Sequence, residues 1–166
     1  MKSGNAAPAA VPGQAGANRE LFVLFEAMGL TLAASYCHVR EIIAYSLPVP
    51  VPRVPAYLKG IINYCGQVCP LVSVSAAAGV PEKPLSARTR IIMLEAPGSG
   101  SALIGIIAEN FIGSAGFSTD EILQYDGPEG GLIKLFIAGV AHLKHASALV
   151  FLPDVFLGTL DHICLK

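Results

Sequence analysis

The stretch 52–74 constrains the fold of this chain more than any other. Its sequence is PRVPAYLKGIINYCGQVCPLVSV. Two prolines near its start fix backbone angles and force an extended or turn-like entry. Two apolar runs follow, at 57–63 and 68–74, and a glycine-containing turn joins them. The pattern predicts a β-hairpin, in which Pro70 can occupy only an edge strand or a bulge because it lacks an N–H group.

The same stretch resembles the CheW-like family, the coupling proteins of bacterial chemosensory arrays. Nine residues carry the resemblance: Pro52, Pro55, Tyr57, Gly60, Ile61, Asn63, Gly66, Val68 and Pro70. Upstream, residues 39–42 match the family's V-x-E-I element at the family's spacing. The chain departs at two polar positions, since Cys65 stands where the family has Arg and Ser73 where it usually has Asp. The matches predict the fold, and the departures bear on function.

The fold implied by the resemblance is all-β, with two tandem five-stranded SH3-like β-barrels and a short C-terminal helix. Strand-like runs and turn signals alone indicate only a chain of many short strands. An internal repeat supports two related units, because segments of the first half align in order with segments of the second. The aligned pairs are 21–27 with 91–96, 39–43 with 111–115, 59–62 with 138–141, and 71–74 with 149–152.

The chain is predicted to form a disordered N-terminal arm over 1–19 and a single CheW-like domain over 20–166. Ala, Pro and Gly dominate the arm, which lacks an apolar core. Within the domain, the first barrel is expected at 20–85, the second at 88–152 and the helix at 153–164. In the second barrel a hairpin turn is predicted at 97–100, and Gly105 within an apolar run predicts a bulge.

Charge and hydropathy exclude several classes of partner. The net charge of the 166 residues is −1, so a large electrostatic surface for nucleic acid is not expected. No apolar run approaches the ~18 residues that a spanning helix needs, so direct membrane insertion is not expected either. The N-terminus does not have the features of a secretory signal, and a cytoplasmic location is predicted. The resemblance adds membrane-associated receptor arrays as the place of action.

Hydrophobic residues make up 53% of the chain and charged residues only 14%. So few charges on so small a protein have two explanations. Either part of the surface is normally covered by a partner, or the core is unusually well filled. Composition alone does not distinguish them.

Residues that could carry chemistry do not form a recognisable catalytic or metal-binding pattern. The four cysteines are Cys37, Cys65, Cys69 and Cys164, and none of their spacings is C-x-x-C. Cys37 adjoins His38, but neighbours in sequence need not face each other as a nucleophile and its base do. A P-loop, a dinucleotide fingerprint and paired carboxylates are absent from the sequence. We therefore predict a protein that is not an enzyme and has no cofactor, with a thiol or metal-binding protein as a minor alternative.

Partners and site residues follow from the resemblance. In the CheW-like family one barrel end docks on a CheA-type histidine kinase, and a groove near the junction of the barrels takes the cytoplasmic tip of a methyl-accepting chemoreceptor. Residue-by-residue matching implies that the receptor groove includes Val39, Glu41, Lys59, Gly60 and Cys65. Two of these have simpler explanations, because Val39 could belong to the core and Glu41 could be a solvated surface charge.

The function implied by the resemblance is that of a non-enzymatic adaptor, which couples a chemoreceptor to a CheA-type histidine kinase in a signalling array. Replacing Arg by Cys removes a planar fork of hydrogen-bond donors. A buried contact of that kind contributes ~1.5–3 kcal/mol. The substitution therefore supports an alternative, a degenerate CheW-like protein that binds a single partner. Such a protein would serve an alternative chemosensory pathway, one that controls surface motility or cyclic-di-GMP.

Overall fold

A computed structural model describes residues 18–95, 102–126 and 133–164, without the side chains of residues 133 and 159–164. The predicted turn at 97–100 and nearly all of the predicted N-terminal arm lie outside these residues. Eleven strands form in the described part of the chain: β1 (Glu20–Ala27), β2 (Leu30–Ser35), β3 (Val39–Ala44), β4 (Leu58–Tyr64), β5 (Gln67–Val72), β6 (Arg90–Glu95), β7 (Leu103–Ala108), β8 (Asn110–Phe117), β9 (Ile122–Leu123), β10 (Ile137–His142) and β11 (Ser147–Phe151).

Three short helices accompany the strands: α1 (Val74–Ala77), α2 (Ile133–Phe136) and α3 (Pro153–Cys164). The aromatic ring of Phe156 on α3 is fully buried, and it lies edge-on to Phe136 with ring centroids 5.0 Å apart. It also contacts Phe151 of β11 at 5.4 Å. The described helices include none that is long and apolar enough to cross a membrane. The predicted C-terminal helix is therefore confirmed as an element that packs on the sheets.

The strands form two sheets, so the predicted all-β fold is confirmed. The first sheet has the order β8-β1-β2-β11-β10-β9, and the second has the order β3-β6-β7-β5-β4. In the second sheet the hydroxyl of Tyr64 on β4 donates to the carboxylate of Glu41 on β3. Because β3 and β4 are the two outer strands, this contact closes the sheet across its open side.

The two sheets do not divide the chain at residues 85–88, because each takes strands from both halves. The first sheet contains β1 and β2 from the first half and β8 to β11 from the second. The second sheet contains β6 and β7 from the second half and β3 to β5 from the first. Each sheet thus combines the first hairpin of one half with the later strands of the other. A 3₁₀ turn at Tyr36–His38 leads the chain from β2 into the second sheet.

The internal repeat of the sequence corresponds to a repeat of structural features in the two sheets. Each sheet contains one parallel pair in the same place, β2 with β11 in the first and β7 with β5 in the second. Each also has a register shift beside a glycine, at Gly60 in β4 and at Gly139 in β10. A Cβ atom added at Gly60 would lie 2.3 Å from the carbonyl oxygen of Val49, and one at Gly139 would lie 2.4 Å from that of Leu123. Close approach of another backbone segment therefore requires both glycines.

Alternate residues of β1, β2, β6 and β7 enter different cores, because successive side chains of a strand point to opposite faces. One face packs between the sheets in a shared core that includes Val23, Phe25, Leu32, Ile92, Leu94, Ile106, Phe151 and Phe156. The other faces fill two separate interiors, one with Phe22, Leu24, Ala33, Phe117 and Val150, and one with Ile62, Cys69, Leu71, Ile91 and Met93. Burial on both faces accounts for the continuous apolar runs and favours the well-filled core as the cause of the low charge content.

Pro70 lies inside a strand pair without breaking a hydrogen bond. Its opposite residue is Ile61, whose N–H and carbonyl both bond to Val49, at 2.9 and 2.8 Å. The backbone nitrogen of Pro70, which carries no hydrogen, therefore faces away from β4. On that side β7 pairs only with Leu71 and Val72. This part of β5 is locally an edge, which is one of the two positions predicted for the proline.

The prediction of a bulge at Gly105 is wrong. β6 and β7 pair there without a register shift, and Gly105 lies opposite Met93. A Cβ atom added at Gly105 would lie 2.8 Å from Cγ2 of Ile91 and 3.1 Å from Cδ1 of Leu71. The glycine makes room for two core side chains, which a sequence pattern cannot distinguish from a bulge.

Candidate partner-binding site

Five strand ends meet at one end of the second sheet. Val39 at the start of β3 lies opposite Leu94 near the end of β6, and Leu94 lies opposite Ile104 near the start of β7. The end of β4 and the start of β5 complete the set through their hairpin. A cavity of about 290 Å³ opens here. We name it the strand-end groove, and its lining residues are Arg40, Tyr64, Cys65, Gln67, Glu95 and Leu103.

The tip of the β4–β5 hairpin projects Cys65 into the strand-end groove. Cys65 has φ +50° and Gly66 has φ +84°, so both central residues of the two-residue turn are left-handed. This is the type I′ arrangement, whose twist matches that of the flanking strands. The side-chain oxygen of Asn63 accepts from the N–H of Gly66 at 2.9 Å and holds the turn. The predicted hairpin forms, and the residue that replaces the family's Arg is exposed at its tip.

The Glu41–Tyr64 hydrogen bond shifts the pKa of the tyrosine at this end of the sheet. The bond to Glu41, with some desolvation and the negative charge of the carboxylate, raises the pKa of Tyr64 to about 12. The positive charge of Arg40 opposes this rise. Tyr64 therefore stays protonated to a higher pH than an ordinary tyrosine, and the carboxylate of Glu41 has a hydrogen-bond partner within the chain.

A β-bulge directs Arg40 toward the strand-end groove. The register of β3 against β6 shifts between Val39 and Glu41, which leaves Arg40 as the extra residue. Regular alternation would bury one of two successive residues, but Arg40 and Glu41 are both exposed. A guanidinium nitrogen of Arg40 lies 4.0 Å from a carboxylate oxygen of Glu95 across the groove.

The structure brings together three of the five residues assigned to the receptor groove by family resemblance. Glu41 and Cys65 lie at the same end of the sheet, joined through Tyr64. Val39 starts the same strand, but it is half-buried and packs against the shared core, as its simpler explanation required. Lys59 and Gly60 lie at the opposite end of β4, six and five residues before Cys65. At 3.4 Å per residue, Lys59 is about 20 Å away along the strand.

Lys59 and Gly60 have structural partners at their end of β4. The ammonium group of Lys59 lies 2.5 Å from a carboxylate oxygen of Glu82. Partial burial acts to raise the pKa of Glu82, but hydrogen bonds from Lys59 and Ser73 outweigh it and lower that pKa. Gly60 is buried against Val49. The structure therefore gives these two residues a role in joining segments of the chain.

Ser73, the second departure from the family pattern, is a helix cap. Its buried hydroxyl accepts from the N–H of Ala76 at 3.1 Å, at the start of α1. Ser and Asp are both favoured at this position. An Asp here would place a second carboxylate beside Glu82, and two close carboxylates disfavour each other's ionisation. Ser73 preserves the cap without that repulsion, and it lies away from the strand-end groove.

The three cysteines whose surroundings the structure describes are free thiols, one buried and two exposed. Cys69 is fully buried, and burial together with the charge of Cys65 raises its pKa, so it remains a thiol. Cys37 and Cys65 are exposed. Within residues 18–95, 102–126 and 133–158 there is no group of three or more His, Cys, Asp or Glu side chains able to hold a metal ion.

Sequence reasoning missed five of the six residues that line the strand-end groove: Arg40, Tyr64, Gln67, Glu95 and Leu103. Arg40 lies inside the V-x-E-I element, at its unspecified position. One feature of the sequence could have identified it: Arg40 and Glu41 are successive charged residues in a predicted strand, where alternation predicts that one of the two is buried. Glu95 and Leu103 belong to the second half of the chain, so only the exchange of hairpins between sheets brings them to this site.

Comparisons with known proteins agree with this fold. The family model for the CheW-like domain matches residues 21–157. Chemotaxis protein CheW of Bacillus subtilis (strain 168) is 32% identical over 75 residues, which cover 45% of this chain and 48% of that protein. Protein FrzA of Myxococcus xanthus is 27% identical over 122 residues, covering 74% of this chain and 72% of that protein. The crystal structure of scaffolding protein TtCheW from Thermoanaerobacter tengcongensis superimposes with a TM-score of 0.71 and 18% identity, covering 86% of this chain and 90% of that one.

Proposed function

The chain belongs to the CheW-like family, and from that premise we propose that it is a non-enzymatic adaptor. It couples the cytoplasmic tip of a chemoreceptor to a CheA-type histidine kinase in a cytoplasmic signalling array. The observation that carries the proposal is the strand-end groove. Of the positions that the family pattern assigns to receptor binding, Cys65 lines this groove, and Glu41 is hydrogen-bonded to Tyr64, which lines it as well.

Adaptor function requires two surfaces on one rigid body. The shared core between the sheets supports such a body, because β1, β2, β6 and β7 all contribute side chains to it. The segment after α1 adds two ties: Glu82 pairs with Lys59, and Lys83 pairs with Glu109 at 2.8 Å. A rigid body that binds both partners raises the effective concentration of one at the other without any new contact between them.

Binding to each partner and formation of the three-component complex test this proposal. The full chain is titrated with the receptor's cytoplasmic fragment and with the kinase, first separately and then together. An adaptor binds each alone, and the amount of kinase retained on immobilised receptor rises with added chain and falls again when the chain is in excess. Kinase retention that does not respond to the chain would refute the proposal.

A charge reversal at Glu41 identifies the surface used by the receptor. We expect Glu41→Lys to weaken receptor binding at least tenfold and to leave kinase binding unchanged, because the variant breaks the bond to Tyr64 that holds β3 against the hairpin at the edge of the groove. Asp120→Lys is the matched control, since Asp120 is exposed on a 3₁₀ turn after β8 in the first sheet. Equal effects of the two variants would place the receptor elsewhere.

A second candidate function is that of a single-partner member of an alternative chemosensory pathway, such as one controlling surface motility or cyclic-di-GMP. The observation that favours it is Cys65, which stands exposed where the family has Arg. The same titrations distinguish the two candidates. Binding to the kinase alone, with receptor binding restored by Cys65→Arg, would support the single-partner function over the adaptor.

A further inference from the structure

The strand-end groove retains a guanidinium group although the hairpin tip has lost one. Arg40 is the only cationic side chain among its six lining residues, all of which belong to the described part of the chain. Cys65 lines the same cavity from the hairpin tip. Arg40 faces the cavity from β3 and Cys65 faces it from the hairpin turn, so a ligand seated there can contact either of them.

Arg40 is exposed and weakly held. Its side chain is 63% exposed, and the carboxylate with which it pairs, on Glu95, is 38% exposed and 4.0 Å away. Two other pairs in the chain are much closer, Lys59–Glu82 at 2.5 Å and Lys83–Glu109 at 2.8 Å. An exposed pair at that distance contributes little to folding. The guanidinium can therefore exchange Glu95 for a carboxylate presented from outside at small cost.

The bulge in β3 determines the position of Arg40 through the backbone. Without the register shift at Val39–Glu41, a residue at position 40 would be paired in the ladder with β6. The bulge instead leaves it unpaired beside Glu41, and the Glu41–Tyr64 bond holds β3 against the hairpin. Bulges next to functional sites commonly redirect a side chain in this way.

We propose that Arg40 supplies, from β3, the guanidinium that the family pattern places at position 65, and that it binds a carboxylate of the receptor segment seated in the strand-end groove. This inference rests on the proposed adaptor function. Arg binds carboxylates through two parallel hydrogen bonds, a geometry that Lys cannot reproduce. Because Arg40 enters from a different strand, it selects receptors whose acidic residue is displaced relative to the partners of an Arg at the hairpin tip.

The test is a set of binding measurements with the full chain and the receptor's cytoplasmic fragment. Arg40→Ala and Arg40→Gln should weaken binding about 10- to 100-fold, the range of a charge-assisted contact, and Arg40→Lys should recover only part of the loss. Arg88→Ala is the matched control, because Arg88 is an exposed cation outside the groove. Denaturation curves for every variant separate lost binding from lost folding.

Two further variants give results that a merely structural role for Arg40 would not. Glu95→Gln removes the carboxylate that competes for the guanidinium, so it should strengthen receptor binding several-fold. Cys65→Arg should restore binding in the Arg40→Ala background and add little to the wild-type chain, where two cations would share one cavity. Kinase binding should be the same for all of these variants.

The outcomes separate this inference from the proposed function. If the wild-type chain binds the receptor and Arg40→Ala changes that affinity by less than twofold, the role of Arg40 is overturned and the adaptor function is left intact. Weakened binding in Glu95→Gln would also overturn it, because Glu95 would then contact the receptor itself. A wild-type chain that does not bind the receptor fragment would overturn both.

Discussion

Replacing Gly60 by Ala should destabilise the protein by about 4 kcal/mol. Gly60 has φ +140°, and a backbone held in such a region costs a non-glycine residue roughly 1–3 kcal/mol. The new Cβ would also lie 2.3 Å from the carbonyl oxygen of Val49 and 3.1 Å from Cβ of Pro48. These atoms must move, and the two hydrogen bonds between Val49 and Ile61 would be lost at about 1 kcal/mol each.

Urea denaturation of Gly60→Ala measures this cost, and Gly66→Ala is the control. Gly66 also has a positive φ, +84°, but an added Cβ would meet no atom within 4 Å. The control should therefore lose roughly 1–2 kcal/mol from backbone strain alone. If Gly60→Ala costs no more than Gly66→Ala, the close approach of Val49 does not require a glycine, and the reasoning fails.

The same variant tests the assignment of Gly60 to the receptor groove. Gly60 is buried and lies at the far end of β4 from Cys65. The folded fraction of Gly60→Ala should therefore bind the receptor fragment with wild-type affinity, once binding is corrected for the population that is unfolded. A folded variant with reduced affinity would show that this end of β4 contacts the receptor, as the family resemblance predicts.

Three other predictions concern helix α3 and the Tyr64–Glu41 hydrogen bond. Phe156→Ala should cost about 3–5 kcal/mol in urea denaturation, because it empties a fully buried site beneath α3, whereas Gly158→Ala on the same helix should gain about 0.5–1 kcal/mol because an added Cβ meets no atom within 4 Å. The folded state raises the pKa of Tyr64 from 10 to about 12, so the stabilisation from its bond to Glu41 is present below pH 10 and is lost as pH rises toward 12. Phenolate absorbance of the wild type minus that of Tyr64→Phe should titrate near 12, and at a lower pH in the Glu41→Ala background, which has no side-chain acceptor at position 41. The same titration in both backgrounds would contradict the hydrogen bond.

Several parts of the fold follow from local sequence alone. The hairpin at 57–74 was predictable because its prolines and its turn glycine fix backbone angles within a few residues. The internal repeat was predictable as well, since both halves use the same order of strands, helices and close-approach glycines. The glycine at position 60 was matched correctly to the family pattern, but the pattern does not say whether it meets a partner or the chain's own backbone.

The exchange of hairpins between the sheets was decided by tertiary structure. Continuous sequence suggests that neighbouring strands share a barrel, so the boundary was placed near 85–88. In the structure alternate residues of β1, β2, β6 and β7 are buried on opposite faces, and one face of each strand packs in a core shared between the sheets.

The sequence by itself determined the family, the repeat of strand-forming segments along the chain and the residue types available for binding: Glu41 beside Arg40, and Cys65 in place of an Arg. Tertiary structure alone decided which of them meet. It joined Glu41 to Tyr64, moved Arg40 out of the ladder and brought Glu95 from the other half of the chain to the same cavity. The physical reason is that backbone angles and alternation are local properties, whereas a cavity forms from strand ends that only the folded sheet brings together.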